Sequence, residues 1–322
     1  MTKKIILGML LFFALKNHAA INNSSKSRNF SISRESITIA VIDTGTDIKH
    51  RELTDSIWIN EGETGLDVFG HDKATNGIDD DNNGFIDDVH GWNFVKNNND
   101  VSDSHGHGTH ISGIIRKEFR KHQTIGTSAP VARLMILKYY DAQSEDSENV
   151  LNTVKAIEYA TMMNVRIINY SGGGASQYSR EYLVIKKARL KNILFIAAAG
   201  NNNTNTDNKK YYPANYGLDN IISVAATDND GDLVSFSNFG GNTVDIAAPG
   251  KLIYSTLPGN NFGIMSGTSQ ATAFVTGVAA RLLVRNKILK PNEVLADLLS
   301  ASRFNKSLKG KTKFQVAMTN SI

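Results

Sequence analysis

The chain has 322 residues, of which 41% are hydrophobic and 20% are charged, enough for one large folded domain with a sizeable core. It contains no cysteine, which excludes disulfides, thiolate metal sites and a cysteine nucleophile. The formal net charge is +4, but three lysines lie in the first 20 residues, and without them 32 basic residues face 31 acidic ones. Because that balance is close to neutral and no basic run is interleaved with aromatic residues, the composition argues against a nucleic-acid partner.

Residues 1–20 have the layout of a secretory signal peptide. Lys3 and Lys4 precede an apolar run over residues 5–15, and Ala19 and Ala20 close the segment. The run is too short to span a bilayer comfortably, so we expect no stable membrane span after signal removal. We therefore expect a secreted or periplasmic protein, and we also expect it to be a monomer. His18 stands where cleavage favours a small residue, so an uncleaved N-terminal anchor is the alternative.

Residues 21–36 are polar and are interpreted as a short lead-in or prosegment, and a regular alternation of strands and helices is predicted from residue 37 onward. Residues 37–42 form a nearly continuous β-rich apolar run, typical of a central strand in a parallel sheet. Apolar spacing predicts further strands over 134–137, 165–168, 193–196 and 221–224, and helices over 148–163, 179–191, 269–286 and 291–299. The succession predicts an α/β fold over residues 37–302, with a mostly parallel sheet covered by helices on both faces. Residues 303–322 are interpreted as a basic, polar tail.

An aspartate and a group of three histidines stand next to predicted elements, where their side chains could take part in catalysis or metal binding. Asp43 ends the first strand, and open α/β sheets bind ligands outside the carboxyl ends of their strands, although aspartate before a turn glycine is also common. Three histidines, His105, His107 and His110, precede a helical pattern. Their spacing would suit a metal, but no glutamate follows in the zinc-protease position. A neutral His107 could instead serve as a general base.

Ser269 stands at the boundary between a glycine turn and the apolar helix predicted over 269–286. The unpaired backbone N–H groups and the positive end of the helix dipole can stabilise an anion that forms beside this serine. The simpler alternative is an ordinary helix N-cap.

An acidic loop lies between the first predicted strand and the three histidines, and its residue pattern predicts a structural calcium site. Its carboxylate and amide side chains stand at alternate positions, and Gly84 supplies the sharp turn found in EF-hand loops. The last position of that motif holds His90 in place of glutamate, and no flanking helix pair is evident. The alternative is a solvated acidic turn. The candidate Ca²⁺ ligands are Asp79, Asp81, Asn83 and Asp87.

Three motifs occur in this order: Asp43-Thr44-Gly45, His107-Gly108-Thr109-His110 and Gly267-Thr268-Ser269. They resemble the active-site motifs of the subtilisin-like serine proteases, a chain order recognised for this family. Residues 168–174, 197–201, 236–240 and 247–250 are similar to further family segments, so that the resemblance spans about 37 to 302. Relatives usually carry a prodomain of several tens of residues, whereas only about sixteen residues stand between the predicted signal peptide and the first strand here.

The resemblance implies a role for each matching position. Ser269 would be the nucleophile, His107 the general base and Asp43 the residue that orients His107. The Asn201 side-chain amide would act with the Ser269 backbone N–H as the oxyanion hole, although residues 201–203 alone would be interpreted as a loop. His110 would be a structural histidine.

Ser171, Gly172 and Gly173 would hydrogen-bond an extended substrate, and the two glycines would leave room for a substrate side chain. The implied function is a secreted serine endopeptidase that cleaves protein or peptide substrates through an acyl-enzyme intermediate. Because a fold does not establish a function, a calcium-stabilised, catalytically silent binding protein on the same fold is the second hypothesis. The presence together of Asp43, His107, Asn201 and Ser269 favours the first.

Overall fold

A mostly parallel sheet forms the centre of the structure, a computed structural model that describes residues 35–123 and 129–319. The predicted signal peptide and nearly all of the predicted lead-in lie outside these residues. The strands of the sheet are β1 (Ser36–Asp43), β2 (Gly91–Asn93), β3 (Val131–Lys138), β4 (Ile167–Tyr170), β5 (Leu194–Ala198), β6 (Ile221–Thr227), β7 (Ile246–Pro249), β10 (Arg303–Phe304) and β11 (Val316–Ala317).

The strand order is β10-β11-β7-β6-β5-β4-β1-β3-β2. Every pair is parallel except β10 with β11. Two further strands, β8 (Ile253–Leu257) and β9 (Asn261–Met265), form a separate antiparallel hairpin. The sequence analysis missed β2, β7 and this hairpin.

Five α-helices cover the sheet: α1 (His107–Arg120), α2 (Asp146–Met162), α3 (Ser179–Leu190), α4 (Thr268–Arg285) and α5 (Pro291–Ala301). Three short 3₁₀ helices span Thr54–Ser56, Glu61–Glu63 and Lys306–Leu308. Proline at the first position of α5 suits a helix start, because that residue needs no N–H partner. Within the described residues, we find no helix that is both long and apolar enough to cross a membrane.

The two faces of the sheet carry separate apolar layers, as alternation along β1 shows. Ile39 and Val41 pack into a core with α1, α4 and α5, whereas Ala40 and Ile42 pack into the core with α2 and α3 on the other face. Full burial of each such aliphatic side chain contributes about 1.5 to 3 kcal/mol. The predicted α/β architecture with helices on both faces is confirmed.

Residues 303–319 belong to the folded unit, so the boundary that the sequence analysis drew at residue 302 is wrong for them. Strand β11 pairs with β7 through Ala317 and Ala247, and β10 pairs with β11. Leu308 and Met318 are fully buried. The described residues belong to one compact unit. The segment is rich in basic residues and has few apolar ones, so the sequence analysis did not recognise that some of its apolar residues are buried.

Candidate active site

Three neighbouring strands bring three of the candidate residues to one edge of the sheet. Asp43 is the last residue of β1, Ser171 directly follows β4, and Asn201 follows β5 by three residues. Strand β4 lies between β1 and β5, and all three are parallel. Their carboxyl ends therefore open into the same crevice, where α/β sheets bind ligands.

His107 and Asp43 form a hydrogen-bonded pair. Nδ1 of His107 lies 2.7 Å from Oδ1 of Asp43, which is only 4% exposed and also accepts a 2.8 Å hydrogen bond from the Thr44 backbone N–H. Burial by itself lowers the pKa of His107, but the Asp43 carboxylate more than offsets it, and the net pKa is raised above the ordinary value. With a proton on Nδ1 facing Asp43, Nε2 of the neutral ring is left as a base.

The N-terminus of α1, which carries His107, is held by Asp103, a residue that the sequence analysis missed. The N-cap residue Gly106 adopts a left-handed φ of 93° and has no side chain for capping. Asp103 supplies the acceptors instead: Oδ1 takes the Gly106 N–H (2.9 Å), and Oδ2 takes the Thr109 N–H (2.9 Å) and Oγ1 (2.7 Å). Asp103 also accepts from Thr44 Oγ1 at 3.0 Å, which ties the helix to the end of β1.

Two glycines allow the end of β1 and the start of α1 to touch. Gly45 has a φ of 108°, and a Cβ there would lie 2.6 Å from the carbonyl oxygens of Val101 and Ser102. A Cβ on Gly108 would collide with the Gly45 carbonyl. Any side chain at either position would separate Asp43 from His107.

Ser269 is the second residue of α4, whose 18 residues are all buried except Leu282 and Arg285. Its Oγ donates a 2.9 Å hydrogen bond to the Ser171 carbonyl. The structure therefore forms the pair between Asp43 and His107 but not a hydrogen bond between His107 and Ser269. Such bonds often form only when substrate is bound, and the Ser269 hydroxyl is redirected by rotation about a single bond.

Asn201 and the Ser269 backbone nitrogen lie beside the turn that precedes α4. Oδ1 of Asn201 accepts from the Thr268 N–H (2.9 Å) and Oγ1 (3.0 Å), which fixes the amide and turns Nδ2 away from Thr268. A methyl carbon placed on Gly267 would lie 2.8 Å from Gln270 Oε1 and 3.6 Å from both Asn201 Nδ2 and the Ser269 backbone nitrogen. Both nitrogens are therefore close to Gly267, and the stabilisation of one oxyanion needs two such donors near the nucleophile.

The segment after β4 supplies backbone groups next to Ser269, but its glycines serve a different purpose from the one expected. A Cβ on Gly172 would collide with the Tyr139 hydroxyl, and one on Gly173 with the Tyr212 carbonyl. The two glycines therefore make room for the protein's own chain rather than for a substrate side chain. Gly174 pairs with Tyr212 by N–H to O bonds of 2.9 and 2.7 Å and has open space at its Cβ position.

The three histidines do not form a metal site. His110 is fully buried, and its Nε2 contacts the carbonyls of Ile253 (3.1 Å) and Gly263 (3.3 Å) in the β8–β9 hairpin. Burial lowers the pKa of His110, so its ring is neutral and joins α1 to the hairpin. His105 is exposed.

The acidic loop brings together a different set of oxygens from the predicted one. Ligand atoms of Glu63, Asp81 and Asp88 lie within 4.8 Å of one another. Of the predicted ligands, only Asp81 belongs to this group. The Asp79 carboxylate accepts from the backbone N–H groups of Asn83 (3.0 Å) and Gly84 (2.7 Å).

The other two predicted ligands also make internal contacts. Asp87 Oδ1 accepts from the Gly77 N–H at 3.2 Å. Asn83 Nδ2 donates to both Asp81 (3.2 Å) and Asp88 (2.9 Å), so it is a neighbour of the cluster rather than an oxygen ligand. The sequence spacing therefore identified the loop but only one residue of the cluster.

The cluster fits a hard cation such as Ca²⁺. Oε2 of Glu63 is buried and has no hydrogen-bond partner, although Oε1 accepts from the backbone N–H groups of Asp80 (2.8 Å) and Asp81 (3.1 Å). Burial raises the pKa of Glu63, and the nearby Asp81 and Asp88 charges add to that effect. Three carboxylates with one unpaired oxygen match the oxygen donors that Ca²⁺ prefers.

The fold and the site together define the class of protein: an α/β protein that presents an aspartate at the carboxyl end of a parallel strand and a histidine and a serine at the N-termini of two helices. The chain belongs to the subtilase family, whose model matches residues 34–318.

Individual relatives agree with this membership. The chain is 33% identical over 254 residues to the thermophilic serine proteinase of Bacillus sp. strain AK1, a match that covers 77% of this chain and 61% of that protein. It is 36% identical over 194 residues to thermitase of Thermoactinomyces vulgaris, covering 60% of this chain and 67% of thermitase. Among solved structures, a cold adapted subtilisin-like serine proteinase has a TM-score of 0.64 at 26% identity and covers 88% of both chains.

Proposed function

We propose that the protein is an exported serine endopeptidase that cleaves protein or peptide substrates. The observation that carries this proposal is the 2.7 Å hydrogen bond between His107 Nδ1 and the buried Asp43 carboxylate, in a chain where Ser269 and Asn201 are held at the same edge of the sheet by hydrogen bonds to Ser171 and Thr268. A relative named as a thermophilic serine proteinase and a solved structure named as a subtilisin-like serine proteinase add support.

Acylation begins when Ser269 Oγ attacks the carbonyl carbon of the scissile bond. Its proton passes to Nε2 of His107, and the Asp43 carboxylate stabilises the resulting imidazolium. The carbonyl oxygen becomes an oxyanion that accepts hydrogen bonds from Asn201 Nδ2 and the Ser269 N–H. The intermediate collapses to an acyl ester on Ser269 as His107 returns its proton to the leaving amine.

Deacylation repeats these steps with water as the nucleophile. His107 accepts a proton from the water that attacks the ester, and the second tetrahedral intermediate uses the same oxyanion donors. The proton then returns to Ser269 Oγ, which leaves as the hydroxyl. Backbone groups of Ser171, Gly172 and Gly173 hold the extended substrate by main-chain hydrogen bonds throughout.

The test is hydrolysis of a denatured protein by the purified signal-free chain, beside Ser269→Ala. We expect the variant to lose about 10⁶-fold in kcat, the loss known for the corresponding serine in subtilisin. The matched control is Ser266→Ala. Ser266 lies next to the same glycine turn, and its hydroxyl accepts a hydrogen bond from the Leu252 N–H. If folded wild type is as inert as Ser269→Ala, the catalytically silent binding protein is favoured instead.

We also propose that Glu63, Asp81 and Asp88 bind a structural Ca²⁺. The ion would neutralise three close carboxylates and use the unpaired Oε2 of Glu63. At 100-fold excess over its Kd, calcium should stabilise the fold by about 2.7 kcal/mol and raise the melting temperature by roughly 5 to 10 °C.

Thermal unfolding with calcium and with a chelator tests this site. Glu63→Gln should lose the calcium response, whereas Asp79→Asn should keep it, since the Asp79 carboxylate is bound to backbone N–H groups. Equal melting of the wild type with and without calcium would refute the site. Loss of the response in Asp79→Asn but not in Glu63→Gln would restore the set predicted from sequence spacing.

We also propose that the protein is exported and that it is a monomer. The signal-like layout of residues 1–20 supports export. Cell fractionation with N-terminal sequencing of the exported chain tests signal removal, and light scattering tests the monomer. An intact N-terminus in the membrane fraction would favour the uncleaved anchor.

A further inference from the structure

A pocket of about 160 Å³ lies beside the segment that follows β4, and a buried carboxyl group lines it. The carboxyl belongs to Glu181 in the first turn of α3, which is 3% exposed. Gly173 and Gly174 form the wall nearest the candidate active site. The remaining walls come from the segment after β3, the start of α2 and the segment before β6.

The lining carries negative charge and aromatic rings but no positive charge. Asp146 stands exposed at the start of α2, and Glu181 is buried. The lining contains no lysine, arginine or histidine. Its aromatic members are Tyr139, Tyr140, Tyr170, Tyr178 and Tyr212. Tyrosine faces and carboxylates are the groups that hold an ammonium or guanidinium ion in a partly desolvated site.

Glu181 has one hydrogen-bond partner within the described residues. Its Oε2 lies 2.7 Å from the Tyr216 hydroxyl, which also lies 3.0 Å from the Tyr178 carbonyl. The single hydroxyl proton of Tyr216 cannot serve both acceptors fully. The neighbouring basic residue on α3, Arg180, contacts Glu158 at 3.5 Å instead. Glu181 therefore has no salt bridge to a cation among the described residues, and a buried carboxylate without a countercharge is costly.

The pocket is within reach of a substrate held at the candidate active site. Ser171 accepts the Ser269 hydroxyl hydrogen bond, and Gly174 follows Ser171 by three residues, or about 10 Å of extended chain. A substrate strand that runs beside residues 171–174 would therefore present to the pocket a side chain two to four residues from the scissile bond.

We propose that Glu181 is a specificity-determining residue and that this pocket binds a lysine or arginine side chain of the substrate two to four residues from the cleaved bond. The inference rests on the proposed endopeptidase function. The basic side chain passes Asp146 at the mouth, packs its methylenes on the tyrosines and pairs its charge with Glu181. The ion pair supplies the missing cation.

The pairing depends on the protonation of Glu181. Burial raises its pKa to about 7, against the lowering effect of the Tyr216 hydrogen bond. The other ionisable groups that face it are Tyr170 from β4 and Asp146 from α2. Glu181 is thus ionised above pH 7 and neutral below it, so the preference for a basic side chain should weaken as the pH falls from 8 to 6.

The experiment uses internally quenched peptides that carry one lysine, moved in turn along positions two to four on each side of the scissile bond, beside peptides with the uncharged isostere norleucine. At pH 8 we expect kcat/KM for the lysine peptide to exceed that for the norleucine peptide by about 10- to 100-fold at one position. Glu181→Gln should bring that ratio close to one. The ratio cancels the titration of His107, which affects both peptides equally.

Glu118→Gln is the matched control, since Glu118 is another buried carboxyl with a raised pKa, placed toward the other end of α1. It should leave the ratio unchanged. Asp146→Asn should lower the ratio by a smaller factor than Glu181→Gln. A thermal melt of each variant separates loss of fold from loss of preference.

Each outcome is decisive. Hydrolysis of norleucine peptides that requires Ser269, with no lysine preference at any position, overturns this inference and leaves the proposed function standing. A lysine preference that survives Glu181→Gln, or a preference for norleucine over lysine, overturns it as well. Failure of every peptide with folded wild type counts against the endopeptidase itself.

Discussion

Burial of the ring lowers the pKa of His107, but the charge and the hydrogen bond of Asp43, together with the charge of Asp103, outweigh it, so the net pKa is raised. The base must be neutral to act, so activity is lost as the pH falls through that pKa. We expect kcat/KM to decline on acidification from a pH above the ordinary histidine value of 6.5.

Asp43→Asn is the informative variant for this titration. It removes the charge that raises the pKa and leaves burial, so the inflection should move to lower pH while kcat falls by about 10⁴-fold. Profiles of kcat/KM between pH 5 and 9, measured on a peptide without ionisable side chains, check this. An inflection that does not move in Asp43→Asn would contradict the assignment.

Asn201 is expected to act on the rate and not on substrate binding. Asn201→Ala removes one of two oxyanion donors, so kcat should fall by about 10² to 10³-fold with little change in KM. Asn202→Ala is the neighbouring control, because the exposed Asn202 uses backbone groups for its contacts to Asn238 and Thr204. An equal loss in both variants would point to disturbance of the loop.

At the scale of single residues, motif order predicted the site better than local pattern did. Asp43, His107 and Ser269 were predicted from the order of three motifs, and Asn201 was predicted from the family resemblance alone, since residues 201–203 by themselves indicate a loop. Asp103 was missed, since an aspartate in a polar stretch carries no local sign that five donors converge on it. Glu63 was missed because it lies 18 residues from Asp81, and only the folded chain brings the two together.

Among the elements, α1 depends most on one capping residue. Asp103→Asn would replace one acceptor oxygen by an NH₂ group that faces N–H donors. We expect the free energy of unfolding to fall by about 1 to 2 kcal/mol, with a loss of activity because His107 begins this helix.

Urea denaturation beside activity measurements tests the role of Asp103. The control is Asp100→Asn, which alters a hydrogen bond to the Ser102 N–H in an exposed loop and should change stability by less than about 0.5 kcal/mol. Similar small effects in both variants would show that α1 does not need the Asp103 cap.

Element prediction succeeded where apolar runs were long and failed where strands were short or half exposed. Strand β1 and helix α4 are buried along nearly their whole length, and apolar residues make up most of their sequences. Strand β2 has three residues, and β9 has no buried residue, so neither shows a usable period. Their positions follow from pairing with β3 and β8, which is tertiary information.

For the whole molecule, the C-terminal segment closes one edge of the core. Leu308 is fully buried, whereas Phe304 in the same segment is 70% exposed. We expect Leu308→Ala to lower the free energy of unfolding by about 2 to 5 kcal/mol through loss of burial and a residual cavity. Phe304→Ala should change it by less than about 0.5 kcal/mol.

Chemical denaturation of these two variants distinguishes a structural segment from an appended tail. If both substitutions leave the unfolding midpoint unchanged, the segment contributes nothing to the stability of the domain. A larger effect of Phe304→Ala would mean that its exposed ring is covered by another molecule.

Helices α1 and α4 touch at the backbone, because a Cβ on Gly277 would lie 2.7 Å from the Ile115 carbonyl oxygen. His107 begins one of these helices and Ser269 lies at the start of the other. A single methyl group at Gly277, about 12 Å along the helix from Ser269, would push the two helices apart and change the separation of base and nucleophile. A substitution at Gly277 would therefore change the turnover rate of the proposed endopeptidase from a position that no substrate touches. Through this helix contact, the reaction rate could be adapted to temperature while the catalytic residues stay the same.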